Sequence, residues 1–258
     1  MSTAEDELEE SRAPLIEHLI ELRRRLMYSV AAFFVVFVVC VIFSQEIYGF
    51  LVKPLAQAME GDENRRLIYT GLPEALFTQL KVAFFAAMMV AFPVIAAQIW
   101  MFVAPGLYRN ERRAFLPFLV ATPVLFLMGA SLAYYVVFPV AWEFFLSFQT
   151  GPAQSGGLAI EFEGKVNEYL AIVMKVIFAF GFSFLLPVGL TLAGRAGLVS
   201  SGWLRDKRKY AIVATFAAAA ILTPPDPFTQ IALGLPILIL YEISILLVRA
   251  VERKRAAT

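Results

Sequence analysis

The chain has 258 residues, 60% of them hydrophobic and 14% aromatic, with a mean hydropathy of +0.72, well outside the range of an ordinary water-soluble domain. A formal charge of +1 gives no electrostatic reason to expect a nucleic-acid partner. One histidine, His18, and one cysteine, Cys40, provide no metal-ligand spacing and no intrachain disulfide.

A bilayer core of about 30 Å takes roughly 20 apolar residues per helix, so the informative question is how many such stretches the chain holds. The opening segment 1–25 reads as a cytoplasmic tail. Its acidic start, Glu5, Asp6, Glu7, Glu9 and Glu10, fits neither a secretory signal nor an Arg-rich transit peptide. Leu15, Ile16, Leu19, Leu22 and Leu26 then recur at helical spacing, with Glu17, His18, Glu21, Arg24 and Arg25 on the other faces. That pattern predicts an amphipathic helix on the membrane surface, leading directly into a first span at 26–44. Cys40 within it reads as a small apolar residue.

Further spans are expected at 76–103, 115–138, 169–193, 210–222 and 228–248, giving an all-α membrane domain with six transmembrane helices. Pro93, Pro117, Pro123, Pro139, Pro187 and Pro236 lie within or at the ends of these spans. Helices in lipid tolerate proline where neighbours satisfy the freed carbonyls, so kinked helices are expected. The Gly-rich segment 150–164 reads as an exposed loop. The fifth span has 13 residues before the turn Thr223-Pro224-Pro225-Asp226-Pro227, about 20 Å at 1.5 Å per residue, and predicts local thinning of the bilayer. Lys and Arg give the orientation: 16 fall in 1–25, 105–114, 194–210 and 249–258, against 4 in 45–73, 139–168 and 223–227. Basic residues are retained in the cytoplasm, so both termini are placed there, and a bacterial inner membrane is the expected home.

Ionisable residues within spans are functional candidates. Lys81 and Lys175 lie about two turns from the periplasmic ends of their helices, within snorkelling reach of the interface. Glu242 lies about two turns from the cytoplasmic end of the last span, roughly 10 Å from both lysines in depth. It is expected to line a polar interior or to be protonated, because desolvation raises a carboxyl pKa. A small-solute transporter or channel would use these three charges, but would place them at one depth on broken helices in repeated halves, and no repeat is visible. An intramembrane enzyme needs a nucleophile–base pair or metal ligands, and no phosphate-binding loop, metal-ligand spacing or GxSxG turn is present.

Four short strings occur in order: His18-Leu19-Ile20-Glu21-Leu22-Arg23; Phe102-Val103-Ala104-Pro105-Gly106-Leu107-Tyr108 running into Glu111-Arg112-Arg113; Phe138-Pro139; and Leu222-Thr223-Pro224-Pro225-Asp226. Together they resemble the TatC family, over about residues 14–250. The resemblance implies a cupped, glove-like set of six helices, N-in and C-in, and a receptor without cofactor or enzymatic activity. Such a receptor binds twin-arginine signal peptides of folded passenger proteins, recruits TatA-type and TatB-type single-span partners into an oligomeric complex, and works on the proton-motive force. It assigns signal binding to Glu21 and Glu111, with Arg23, Arg109, Phe102 and Tyr134 in support, and partner-helix docking to the neighbourhood of Thr223 and Gln230. The placement of carboxylates agrees. Glu21 and Glu111 both face the cytoplasm, and a guanidinium fork pairs with a carboxylate in a bidentate geometry that lysine cannot copy. One departure stands out: many family members carry an acid or amide before the Pro-Val pair of the fourth span, where this chain has Leu185. Lys175 and Glu242 are the candidates to supply that polarity.

Overall fold

A computed structural model describes residues 2–60, 66–107, 112–150, 161–222 and 227–256; for 2–15, 104–107, 112–116, 228 and 255–256 it describes the backbone alone. Ten α-helices carry these residues: α1 Ser2–Ile42, α2 Ser44–Ala58, α3 Glu74–Leu107, α4 Arg112–Leu132, α5 Phe138–Leu146, α6 Val166–Ser183, α7 Leu186–Arg195, α8 Ser201–Asp206, α9 Arg208–Leu222 and α10 Pro227–Ala256. Among the described residues, five stretches are long and apolar enough to cross a membrane: Ile16–Ile42, Glu74–Val103, Pro117–Leu146, Val166–Arg195 and Thr229–Lys254. The shorter α9, with 15 residues, extends about 22 Å at 1.5 Å per residue. It gains only Arg208 and Lys209 over the expected span, because the backbone leaves helical geometry at Lys207 (φ −89°, ψ 5°). The segment 45–73, expected as a loop, contains α2 and a two-residue strand β1, Leu67–Ile68.

The contacts divide the chain into two compact units, Met1–Ile42 with Ala83–Pro123, and Phe43–Val82 with Val124–Thr258. In the first unit the amphipathic segment and first span form the single helix α1, as the unbroken periodicity requires. Phe33 and Phe37 of α1 meet the edge of Phe84 on α3 at 5.0 and 6.4 Å. Such edge-to-face pairs contribute about 0.5–1.5 kcal/mol beyond burial. α3 is tied to α4 where the Trp100 indole N–H donates to Thr122 Oγ1 at 2.8 Å.

The second unit is organised by prolines and by the carbonyls they orphan. Pro54 lies inside α2, and its missing N–H leaves Phe50 O without the i+4 donor. The Tyr134 hydroxyl donates to that oxygen at 2.6 Å, and the Tyr134 ring stacks on Phe50 at 4.3 Å. One residue on, Tyr169 donates to Leu51 O at 2.9 Å. Before Pro139 the helix widens into a π-turn, Ala133–Val137, in which the Phe138 N–H reaches back to Ala133 O; π-bulges of this kind are a recognised cause of helix bending. Before Pro187 the fourth span is broken at Phe184–Leu185, between α6 and α7. Pro139 and Pro187 thus adjoin interruptions of the α-helical pattern, whereas Pro93, Pro117, Pro123 and Pro236 lie within continuous helices.

α4 and α6 approach closely at Gly129, where a Cβ would lie 2.5 Å from Phe180 O. α9 and α10 form an antiparallel hairpin in which Gly234 makes room for the Phe216 ring, at 2.8 Å from a would-be Cβ. α7 and α8 pack on α10, with Leu204, Tyr241, Ile245 and Val248 at the centre of a buried cluster. The segment expected as an exposed loop, 150–164, ends in a two-residue strand β2, Gly164–Lys165, which pairs in parallel with β1. An Arg66–Glu163 ion pair at 3.1 Å flanks this ladder.

Candidate functional site

The first unit presents one polar cluster, built from the matching faces of two helices. On α1, His18, Glu21 and Arg25 are spaced i, i+3 and i+7, and so share a face. On α3, Gln98, Met101 and Phe102, at i, i+3 and i+4, likewise share a face. His18 stacks on Phe102 with ring centroids 4.2 Å apart and planes 16° from parallel. The Arg25 guanidinium reaches the same Glu21 oxygen, Oε1, with Nη2 at 3.2 Å and Nε at 3.4 Å. Its Nη1 lies 3.4 Å from Gln98 Oε1 and 3.5 Å from Met101 Sδ. Both charged side chains are about a quarter exposed (23% for Arg25, 27% for Glu21). A carboxylate is therefore held beside an aromatic stack in a site that is neither dry nor fully solvated. Ion pairs are moderately strong in such surroundings, and the groups remain accessible.

The structure accordingly brings Glu21 and Phe102 of the expected signal-binding set into one cluster. Arg23 is exposed and lies two positions from Glu21 on a different face of α1. Glu111 and Arg109 lie outside the described residues. Tyr134 lies in the second unit, where it is 7% exposed and its hydroxyl donates to the carbonyl that Pro54 frees, so the contacts it makes here are packing contacts. The sequence reading also passed over Arg25, Gln98 and Met101. Gln98 was visible as an amide within an otherwise apolar run, and Arg25 as the residue one turn beyond Glu21.

The intramembrane charges are separated, each with its own partner. Lys81 donates to Asn167 Oδ1 at 2.8 Å. Lys175 donates to Ile221 O at 2.5 Å, satisfying one of the carbonyls that the C-terminus of α9 leaves without intrahelical donors. A positive charge there also complements the helix dipole. Lys175 stands in an open groove of about 490 Å³, lined besides by Phe178, Ala179, Phe182, Ser183 and Leu222. Glu242, expected to line a polar interior or to be protonated, instead pairs with Arg208 at 2.5 Å. The antiparallel α9–α10 hairpin places the first residue of α9 opposite it, a partner invisible while Arg208 read as part of a charged loop. Of the two residues expected to replace the missing polar group at Leu185, Lys175 is the one in a groove. Gln230 donates its amide to Phe216 O at 3.1 Å, within the same hairpin; Thr223 lies outside the described residues. The three charges thus do not form the shared site that a small-solute transporter would require.

Comparison with known proteins now bears on this arrangement. Residues 17–236 match the family described as Sec-independent protein translocase protein (TatC). The chain is 56% identical over 247 residues to the Sec-independent protein translocase protein TatC of Magnetococcus marinus, covering 96% of this chain and 88% of that one. With the corresponding Escherichia coli protein it shares 38% over 236 residues, covering 92% and 88%. A crystal structure of the twin-arginine translocase receptor TatC in DDM superposes with a TM-score of 0.77 at 35% identity, covering 89% of this chain and 98% of that one. The chain therefore belongs to the TatC family, and is a multi-pass membrane subunit of the twin-arginine protein translocase.

Proposed function

We propose that this subunit is the signal receptor of its translocase: it binds the twin-arginine signal peptides of folded passenger proteins at the cytoplasmic face of a bacterial inner membrane. Glu21 and Glu111 each receive one guanidinium, Phe102 lines the site beside His18, and Arg23 and Arg109 support it. Both termini are cytoplasmic, and α9 serves as a sixth, short span. The receptor then nucleates an oligomeric complex with TatA-type and TatB-type single-span partners near Thr223 and the α9–α10 hairpin. Transport is driven by the proton-motive force and involves no enzymatic step by this chain.

The observation that carries the reading is the Glu21 carboxylate, three-quarters buried yet reachable, beside the His18–Phe102 stack. Two adjacent arginines require two separately placed acids, and a charge-assisted hydrogen bond contributes about 1.5–3 kcal/mol. Glu21→Ala and Glu111→Ala should each weaken binding of a twin-arginine peptide at least about tenfold, by the rule of about 1.4 kcal/mol per decade. Titration of a labelled signal peptide into the purified protein measures this. Unchanged affinity in both single variants would sink the two-carboxylate mechanism.

A further inference from the structure

The acid at the centre of the proposed receptor site already holds a guanidinium, that of Arg25, from its own helix. We propose that Arg25 is a resident stand-in for the signal's arginine, so that engagement proceeds by exchanging one guanidinium for another on Glu21. The inference rests on the signal-receptor reading above and deepens it.

Three features of the geometry support exchange over simple structural pairing. First, the pair is loose. Both Arg25 bonds converge on Oε1, at 3.2 and 3.4 Å, longer than the roughly 2.7–2.9 Å of a strong charge-assisted bond. Neither bond reaches Oε2, so the fork is not laid across both oxygens. A guanidinium arriving from a separate peptide is free of the shared helix and can pair bidentately. Second, the displaced cation has a second seat. Arg25 Nη1 already faces Gln98 Oε1 and Met101 Sδ on α3, so the side chain can let go of the carboxylate without losing its polar company. Third, the site is only about a quarter exposed. A carboxylate left unpaired there is partly stripped of water and costly, so a resident cation keeps the empty receptor stable. The same cation opposes the incoming charge until it moves aside. Arg25 is thus a positioning residue that sets the threshold a signal must exceed at Glu21.

The exchange has a measurable signature, because it leaves the number of ion pairs at Glu21 unchanged. Removing Arg25 converts signal binding from a swap into the formation of a new ion pair. The experiment is titration of a fluorescent twin-arginine signal peptide into the full-length protein in lipid nanodiscs, at low and high salt. The variants are Arg25→Gln, Arg25→Lys, Glu21→Gln and the Arg25→Gln, Glu21→Gln double variant. Arg25→Gln is expected to tighten binding about two- to fivefold, the range that exposed and partly exposed ion pairs span, and to make the affinity more salt-sensitive than in the wild type. Arg25→Lys, which retains the charge and loses the fork, should fall between the two, and it decides the matter if Arg25→Gln fails to fold. In the Glu21→Gln background the Arg25→Gln change should have no effect on affinity. If Glu21→Gln weakens binding while Arg25→Gln leaves it unchanged or weakens it, the exchange is wrong and the receptor reading survives. If Glu21→Gln binds as the wild type does, the receptor reading itself fails.

Discussion

Two spans of nearly equal apolarity meet opposite fates in this molecule. Only 6% of the most apolar stretch of Ile16–Ile42, in the first unit, is buried within the protein, against 50% for Val166–Arg195 in the second. Phe34, Val35, Val38 and Ile42 stand 57–72% exposed along α1. In water such a helix would be untenable, because each exposed large side chain forgoes about 1.5–3 kcal/mol of burial. In a bilayer lipid is the solvent, and no hydrophobic force distinguishes a lipid neighbour from a protein neighbour. What separates the two units is therefore close packing and polar ties. The second unit has both: glycine-mediated helix approach, a tyrosine on a proline-freed carbonyl, and the hairpin ties of Gln230 and Arg208. The first unit carries the accessible polar cluster on a helix that is little buried by protein, so the proposed receptor site and the closely packed frame fall in different units.

The most damaging test of that division is a side chain at Gly129. Its Cβ would lie 2.5 Å from the backbone oxygen of Phe180, and backbone cannot swing aside as a side chain can. Gly129→Leu should destabilise the protein by about 3 kcal/mol or more, at or above the upper end of overpacking costs. It should be read as a large drop in thermal midpoint in detergent. A wild-type midpoint would show that the α4–α6 approach is not tight.

A smaller change sharpens the comparison at Tyr134. Tyr134→Phe keeps the stacked ring and orphans Phe50 O, which Pro54 has already deprived of its helix donor. An unsatisfied, partly buried carbonyl costs about 1–3 kcal/mol. The variant should lower stability by about that amount while leaving signal-peptide affinity unchanged. Lost affinity with intact stability would place Tyr134 in signal recognition. The smallest effect belongs to the first unit: Phe34→Ala, on a face turned away from protein, should change stability by less than about 0.5 kcal/mol, as surface substitutions usually do. A loss comparable to that at Gly129 would mean that α1 is packed after all.

Some of this was legible before any coordinates. Hydropathy fixes the helices because a bilayer leaves the backbone almost no other spanning option; of the six prolines expected to kink them, only Pro139 and Pro187 adjoin an interruption of the α-helical pattern. The strings around Glu21 and Phe102 contain two members of the polar cluster, since i, i+3 and i+7 spacing places residues on one helical face wherever the helix goes. Helix α2 and the β1–β2 ladder were not legible. The former lies in a segment with mixed polarity, and the latter joins residues nearly a hundred positions apart by backbone bonds that leave no side-chain pattern. Which lysine meets which acceptor was hidden for the same reason. Depth along a helix follows from residue count, but the rotation and pairing of helices depend on contacts such as Gly129 against Phe180. Thus the sequence alone determined that the chain lives in a membrane and to which family it belongs. Only the tertiary structure decided that Glu242 belongs to Arg208, Tyr134 to Phe50 O, Lys175 to the end of α9, and that Glu21 already holds an arginine, because hydrogen bonds and ion pairs act over a few ångströms and are set by packing.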